Sequence, residues 1–360
     1  MKMLAAMFYA PMDVRMEYRS VPQPDEGEVL LKVVAATTCG TDVKTYLRGH
    51  PLLIRRIPSG FGHEVAGFVA AVGPGVTQCA EGDAIVIANS APCQQCFYCK
   101  RGNFSICEDL LLLNGAYAEY ILVPERIVRM NLYHLKPGGS FLAAALTEPL
   151  ACALHGVNAC EITQGDTVVI IGSGPLGLLL TSIAKLKGAH TIITGRNTNR
   201  LALSSRFGAD VAIDISQYSL EEQQEVVLDK TEARRGADIV IEAVGIPETW
   251  ELAASLVRPG GLVNFFGGCP SGSRVSFETR PIHYSELTFK GVFHHTPAYF
   301  EQALELIQSR RIDVEELITA RLPLTSTVDA LELLVKKQGV KYALIPPDFQ
   351  RDLLSSEVLQ

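Results

Sequence analysis

Four cysteines, Cys93, Cys96, Cys99 and Cys107, fall close together in a chain of 360 residues. Their C-x-x-C-x-x-C-x7-C spacing lets four thiolates close a tetrahedral shell around Zn²⁺, at ~2.3 Å per Zn–S bond. A closed shell keeps no position for substrate, so such a metal is structural. The total of nine cysteines is odd, and a disulfide framework belongs mostly to short secreted chains. Cys79, Cys152, Cys160 and Cys269 are scattered and read as small buried hydrophobes.

A second set of metal-binding types is dispersed. Cys39 sits in Thr38-Cys39-Gly40-Thr41-Asp42, His63 and Glu64 in Gly60-Phe61-Gly62-His63-Glu64, and Glu148 in Thr147-Glu148-Pro149-Leu150. Singly, these read as a core thiol, a hydrogen-bonded histidine and a helix-start carboxylate. Together they offer one soft ligand, one imidazole and one or two carboxylates. That set suits a catalytic zinc that keeps a position for water or substrate.

A third pattern is Gly172-x-Gly174-Pro175-Leu176-Gly177. It follows the apolar run Thr167-Val-Val-Ile-Ile171 and passes into a helical stretch, the context that gives a G-x-G-x-x-G pattern meaning. The first glycine permits a tight turn, the second lets the backbone approach a pyrophosphate, and the third lets the helix pack on the strand.

The elements that must position these groups change character near residue 150. Before it, Val29–Ala35, Glu64–Val72, Ala84–Ala88 and Ala118–Val123 read as short strands between Gly and Pro turns, which predicts a β-rich, barrel-like domain. After it, the strands Thr167–Ile171, Thr191–Thr194, Val211–Ile213, Ala237–Glu242 and Gly261–Phe266 alternate with helical stretches. Those run over Leu178–Lys187, around Arg200–Phe207 and over Glu248–Val257. Alternation of this kind predicts a doubly wound α/β domain. Beyond about residue 296 come two amphipathic helices around short strands, ending in Tyr342–Ile345.

Composition excludes other classes. With 32 Lys+Arg against 39 Asp+Glu the net charge is −7, and no basic tract is present, so nucleic acid is a poor partner. A hydrophobic fraction of 48% excludes wholesale disorder. No apolar run reaches the ~18 residues of a membrane span. Met1–Tyr9 is too short for a signal peptide and lacks a small-residue cleavage pattern, so a cytoplasmic location is expected.

Over nearly its whole length the sequence resembles the zinc-dependent medium-chain dehydrogenase/reductases, in their sorbitol (polyol) and threonine dehydrogenase branch. The resemblance rests on Cys39-Gly-Thr-Asp, Gly62-His63-Glu64, the four-Cys lobe, Glu148-Pro-Leu and the glycine turn, in the expected order. It implies a GroES-like β-barrel catalytic domain, residues 1–150 and 296–360, interrupted by a Rossmann domain, residues 151–295. It also implies two zinc ions per chain. The catalytic one would be held by Cys39, His63 and Glu64 or Glu148, the two carboxylates exchanging as ligand. Thr41 would pass the alcohol proton outward, and the assembly would be a tetramer or dimer. The implied reaction oxidises a secondary alcohol, such as a polyol, sugar or amino-sugar alcohol, to a ketone with hydride passing to nicotinamide. An L-threonine-type dehydrogenase is the alternative. A silent dinucleotide-binding protein is disfavoured by the presence of every ligand.

Four places depart from the branch. Lys44 stands where members commonly carry His, and His294 where polyol dehydrogenases often carry Arg, so His294 and His295 are pocket candidates. The segment Tyr46–Arg56 is basic, through Arg48, His50, Arg55 and Arg56; it reads either as a solvated loop or as the face for a phosphorylated or acidic substrate. Finally, Gly195 stands where NAD-using members place Asp, and Arg196 follows, with Arg200 nearby. Losing that carboxylate removes a ribose clamp and a repulsion, while a guanidinium suits a 2′-phosphate. NADP is therefore expected over NAD, the other reading being a solvated Arg196 and a weaker ribose clamp.

Overall fold

The β-branched, apolar run Val29–Thr37 is buried at almost every residue, so both faces and both edges must be covered. One edge pairs antiparallel with Glu64–Val72, Thr37 lying opposite Glu64. The other edge is shared by Tyr120–Val123 and by Lys341–Ile345, the latter arriving from the far end of the chain. In this computed structural model, which describes residues 1–354, the sheet continues outward through Ala84–Ile87 and Leu132–His134 on one side and Ile318–Pro323 on the other. A hairpin of Lys2–Ala10 and Asp13–Ser20 forms a smaller sheet with Ser59–Gly60. Leu31, Val33, Phe61, Ile85, Tyr117 and Leu344 belong to the core of this unit, with Phe8 stacked on Phe61 at 5.9 Å. The unit comprises Met1–Ala151 and the described residues from His295 onward. Residues 355–360 of the expected catalytic domain lie outside the described residues.

Cys152–His294 forms the second unit. Its six strands are all parallel. They lie in the order Val211–Asp214, His190–Gly195, Thr167–Ile171, Ala237–Glu242, Val257–Phe265 and Thr288–Gly291. Strand order therefore reverses between Thr167–Ile171 and Ala237–Glu242, the switch point at which doubly wound sheets bind ligands. The architecture is thus α/β in two units, a β-rich one and one with a Rossmann-like, doubly wound parallel sheet.

Several expected bounds shift for local reasons. The helix after the glycines starts at Pro175 rather than Leu178, because Gly174 caps it and Pro already has helical φ at the first position. The stretch Arg200–Phe207 is helical only over Thr198–Leu203: Asn197 caps its start, and tight turns follow up to Gly208 at φ 84°. Val257, placed at a helix end by its sequence, already belongs to the next strand. Ala118 makes only an isolated bridge to Ala5, and the regular strand begins at Tyr120. Among the described residues, no helix is long and apolar enough to cross a membrane.

Candidate active site

Cys39 opens the Gly40–Arg48 helix as its N-cap. Its Sγ accepts the Thr41 amide at 3.4 Å, and Asp42 reaches back to the Cys39 amide at 2.9 Å. This reciprocal capping fixes the thiol at the helix start and turns Asp42 inward. Asp42 Oδ1 lies 2.9 Å from His63 Nδ1, and its Oδ2 also accepts the Tyr117 hydroxyl. Tyr117 and Asp42 are buried, as is His63. Burial works against ionised Asp42, but the charge and hydrogen bond of His63, with Tyr117 and the Cys39 amide, hold its carboxyl below the usual range. Burial pulls the His63 imidazole down, yet Asp42 and Cys39 hold it well above its ordinary value. With Nδ1 engaged by Asp42, Nε2 is the nitrogen left to ligate.

Glu64 is fully buried as the first residue of its strand, beside His63. Its two oxygens accept from Lys341 Nζ at 2.8 and 2.7 Å, and Oε2 also accepts from the Thr37 hydroxyl. Lys341 donates as well to the Thr38 carbonyl. Burial pushes the Glu64 carboxyl up; Lys341 and His63 pull it back, and nearby Glu148 adds to the push. The ligand atoms of Cys39, His63 and Glu64 all lie within 4.8 Å of one another.

Glu148 is buried at the start of the Thr147–Asn158 helix and accepts from Asn89 Nδ2 at 3.2 Å. Asn89 Oδ1 in turn accepts from His295 Nε2 at 3.1 Å, so His295 is joined to Glu148 through Asn89. Thr41 is half-exposed in the helix's first turn. His294 belongs to the other unit, with φ 58° and its carbonyl 2.9 Å from His155 Nδ1. Sequence reading did not find Lys341, Tyr117, Thr37 or Asn89. Asp42 lay inside the first motif without a role, although its place three residues after Cys39 is a capping-box signal. Lys341 has no local signal, because only strand pairing brings it under Glu64.

The four-Cys lobe is held by short turns. The amides of Cys93, Cys96 and Cys99 donate to the sulfurs of Cys107, Cys93 and Cys96 at 3.2, 3.4 and 3.5 Å. All four sulfurs lie within 4.8 Å of one another, and Cys96 and Cys107 Sγ are 3.9 Å apart. A tetrahedron with ~2.3 Å Zn–S bonds has edges of about 3.8 Å, so the cage fits zinc. Hydrogen bonds from neighbouring amides pull the Cys96 thiol down to about 6, while burial pushes Cys99 up to about 12. Both donor sets have the chemistry zinc takes: thiolate alone here, thiolate with imidazole and carboxylate at Cys39.

In the second unit, Gly172 sits at φ 112° and Gly174 caps the Pro175–Leu186 helix. A Cβ on Gly177 would lie 1.8 Å from the Gly172 carbonyl oxygen, so only glycine lets helix and strand approach this closely. The first-turn amides beyond Pro175 have no helical acceptor, the usual seat of a pyrophosphate. Leu176 is half-exposed there. Gly195 is buried at the end of the next strand, Arg196 is exposed, and Arg200 is half-exposed in the Thr198–Leu203 helix. A Cβ on Gly195 would meet Ser173 Oγ at 2.1 Å and Ser173 Cβ at 2.6 Å, so the Ser173 side chain fills the space beside this position.

Residues 25–131 match the alcohol dehydrogenase GroES-like domain family, and residues 175–309 match the zinc-binding dehydrogenase family. Sorbitol dehydrogenase of Bacillus subtilis is 32% identical over 355 residues, covering 96% of this chain and 97% of that protein. L-Threonine 3-dehydrogenase of Pyrococcus furiosus is 34% identical over 306 residues, covering 83% of this chain and 85% of that protein. A crystal structure from Sinorhizobium meliloti, assigned as a zinc-binding dehydrogenase and bound to NADP, superposes with a TM-score of 0.88 at 29% identity. It covers 96% of this chain and 100% of that one.

Proposed function

We propose, since the chain belongs to the zinc-binding alcohol dehydrogenase family, that it oxidises a secondary alcohol of the polyol, sugar or amino-sugar class to a ketone. The observation that carries this reading is the convergence of Cys39, His63 and Glu64 within 4.8 Å, with His63 aimed by Asp42. Cys39 and His63, with Glu64 or Glu148, would hold the catalytic zinc, and the four-Cys lobe a second, structural one. When bound, zinc supplies Lewis acidity to the substrate hydroxyl and the nicotinamide accepts the hydride. Thr41 takes the departing alcohol proton, since a hydroxyl can accept and donate in one step. Asp42 holds the His63 ring in place. Lys341 balances the Glu64 charge and so sets how freely that carboxylate turns from Lys341 to ligate.

Gly172, Gly174, Pro175, Leu176 and Gly177 would cradle the pyrophosphate, and Gly195, Arg196 and Arg200 the adenosine end. NADP is the preferred nucleotide in this reading, supported by the missing carboxylate at Gly195 and the adjacent guanidinium. The catalytic domain would span 1–150 and 296–360 and the dinucleotide domain 151–295. The chain would act in the cytoplasm as a dimer or tetramer, without nucleic acid or membrane. An L-threonine-type reaction is the second reading, supported by the Pyrococcus relative. A screen of polyols, inositols, sugar phosphates and L-threonine, followed by reduced-nicotinamide absorbance, tests both. Turnover of L-threonine alone selects the second, and turnover of none removes both.

A further inference from the structure

The Gly40–Arg48 helix begins at the proposed metal cluster and points its two faces differently. Asp42, Thr45 and Tyr46 are buried, whereas Thr41 is half-exposed and Lys44 and Arg48 are exposed. Thr41, Lys44 and Arg48 are spaced i, i+3 and i+7, so they form one stripe along the helix. At 1.5 Å rise per residue, Lys44 stands about 4.5 Å and Arg48 about 10.5 Å along the axis from Thr41. The chain beyond the helix turns back over this end: the amides of Leu53 and Ile54 donate to His50 Nδ1 and to the His50 carbonyl at 3.3 and 2.9 Å.

Beyond Asp42 this segment of the chain carries one sign of charge, while burial, then nearby Glu332 of the Thr327–Val335 helix, raises the Tyr46 hydroxyl of the Gly40–Arg48 helix. From Val43 to His63 the sequence contains Lys44, Arg48, Arg55 and Arg56 and no Asp or Glu, in a chain of net charge −7. Lys44, Arg48 and Arg56 form no ion pair among the described residues, and Arg55 bonds only the carbonyls of Leu52 and Leu110. Lys44 and Arg48 act on the same imidazole, that of His50, as does His63 of the ligand cluster. Burial, then His63, Arg48 and Lys44, hold the half-buried His50 below its ordinary range. Unpaired cations leading away from a reaction centre raise the local concentration of anions and orient them.

We propose that the substrate alcohol carries an oxyanion, a phosphate or a carboxylate, several bonds from its carbinol carbon, and that Lys44 and Arg48 receive it. The inference rests on the dehydrogenase reading above and narrows its substrate class. Lys44, one turn from Thr41, is placed for the nearer anion, and Arg48 extends the reach by a further turn. A guanidinium and an ammonium both suit a phosphate, while a carboxylate is best held by the planar fork of Arg48.

The test is kcat/KM for D-glucitol, D-glucitol 6-phosphate and D-gluconate with metal-loaded enzyme, at low and high salt. One anionic compound is expected to exceed glucitol by at least roughly tenfold, the scale of a single charge-assisted contact, with the advantage shrinking as salt screens it. Lys44→Gln and Arg48→Gln should each cut the anionic-to-neutral ratio roughly tenfold, mostly through KM, and Lys44→Arg should restore it. The arm that responds identifies phosphate or carboxylate. A ratio near one in both arms, or a ratio that neither Gln variant moves, overturns the inference while leaving the dehydrogenase reading intact. Failure to oxidise any alcohol with either nucleotide overturns both.

Discussion

Lys341 Nζ lies 2.7 Å from Glu64 Oε2, and both side chains are at most 1% exposed. The two residues stand 277 positions apart, joined because Lys341–Ile345 pairs with the same strand, Val29–Thr37, that holds Glu64–Val72 on its other edge. Removing the lysine alone leaves a buried, uncompensated carboxylate. Lys341→Met is expected to lower unfolding free energy by about 3–5 kcal/mol, and Lys341→Met/Glu64→Gln by clearly less. Because burial pushes Glu64 up, protonation relieves the single variant, so its deficit should shrink as pH falls. Urea titrations of the metal-free chain at several pH values measure this. Equal losses in the single and double variants would show that the pair contributes nothing beyond packing.

His63 and Asp42 give the metal-free protein a defined pH response. His63 is raised above its ordinary 6.5, so its contribution to stability is complete below that value and fades as pH rises through its folded pKa. Asp42 is lowered from 3.8, so its contribution is complete above that value and is lost as pH falls through its folded pKa. Zinc needs the neutral imidazole, so metal affinity should climb across the range in which His63 sheds its proton. Calorimetry in buffers of different ionisation enthalpy reads the released proton. Asp42→Asn should weaken zinc about 10–100-fold through loss of ring orientation. Zinc affinity that is flat with pH in the wild type contradicts the Asp42–His63 assignment.

The two cysteine sets should separate in metal content. Cys39→Ala is expected to abolish turnover and retain about one zinc per chain, held by the closed lobe. Cys96→Ala should lose the other zinc and mainly lower the melting temperature, since a closed site contributes folding energy. Metal analysis beside thermal melting distinguishes them. One zinc or none in a fully metallated, active wild type counts against the assignment.

Oxidation should accelerate from mildly acidic to alkaline pH, because the substrate hydroxyl must give up its proton before hydride can leave. Thr41→Val should depress kcat across that range and flatten its rise, while Thr41→Ser retains both. A level kcat/KM profile in the wild type, with hydride transfer shown to limit the rate, would remove the argument for a proton relay.

At the adenosine end, wild-type kcat/KM should favour NADP over NAD. Arg196→Leu should raise the NADP dissociation constant, measured by fluorescence titration, more than that for NAD. Gly195→Asp on its own drives a Cβ toward Ser173, so a switch toward NAD is expected from Gly195→Asp/Arg196→Leu combined with Ser173→Gly. A wild type that uses NAD at least as well as NADP refutes this reading of the turn and spares the dehydrogenase assignment.

The local parts of this protein are written in its sequence. Four cysteines on short turns can only converge, and an apolar run followed by a glycine turn builds its own strand, cap and helix. Thr167–Ile171, Glu64–Val72 and Ala237–Glu242 have the bounds that their β-branched runs announce. What stays hidden is whatever depends on which strand lies beside which. A lysine in Lys341–Ile345 looks like any strand-end cation until that strand pairs with Val29–Thr37 and sets it under Glu64. The hydroxyl of Tyr117 reaches Asp42 only through the folding of its loop, and Asn89 meets Glu148 and His295 from separate parts of the chain. Ligand identities follow from residue type and short-range spacing. The groups that orient and neutralise those ligands come from distant segments, because a buried charge must be met by whatever partner the tertiary packing delivers, at any sequence distance.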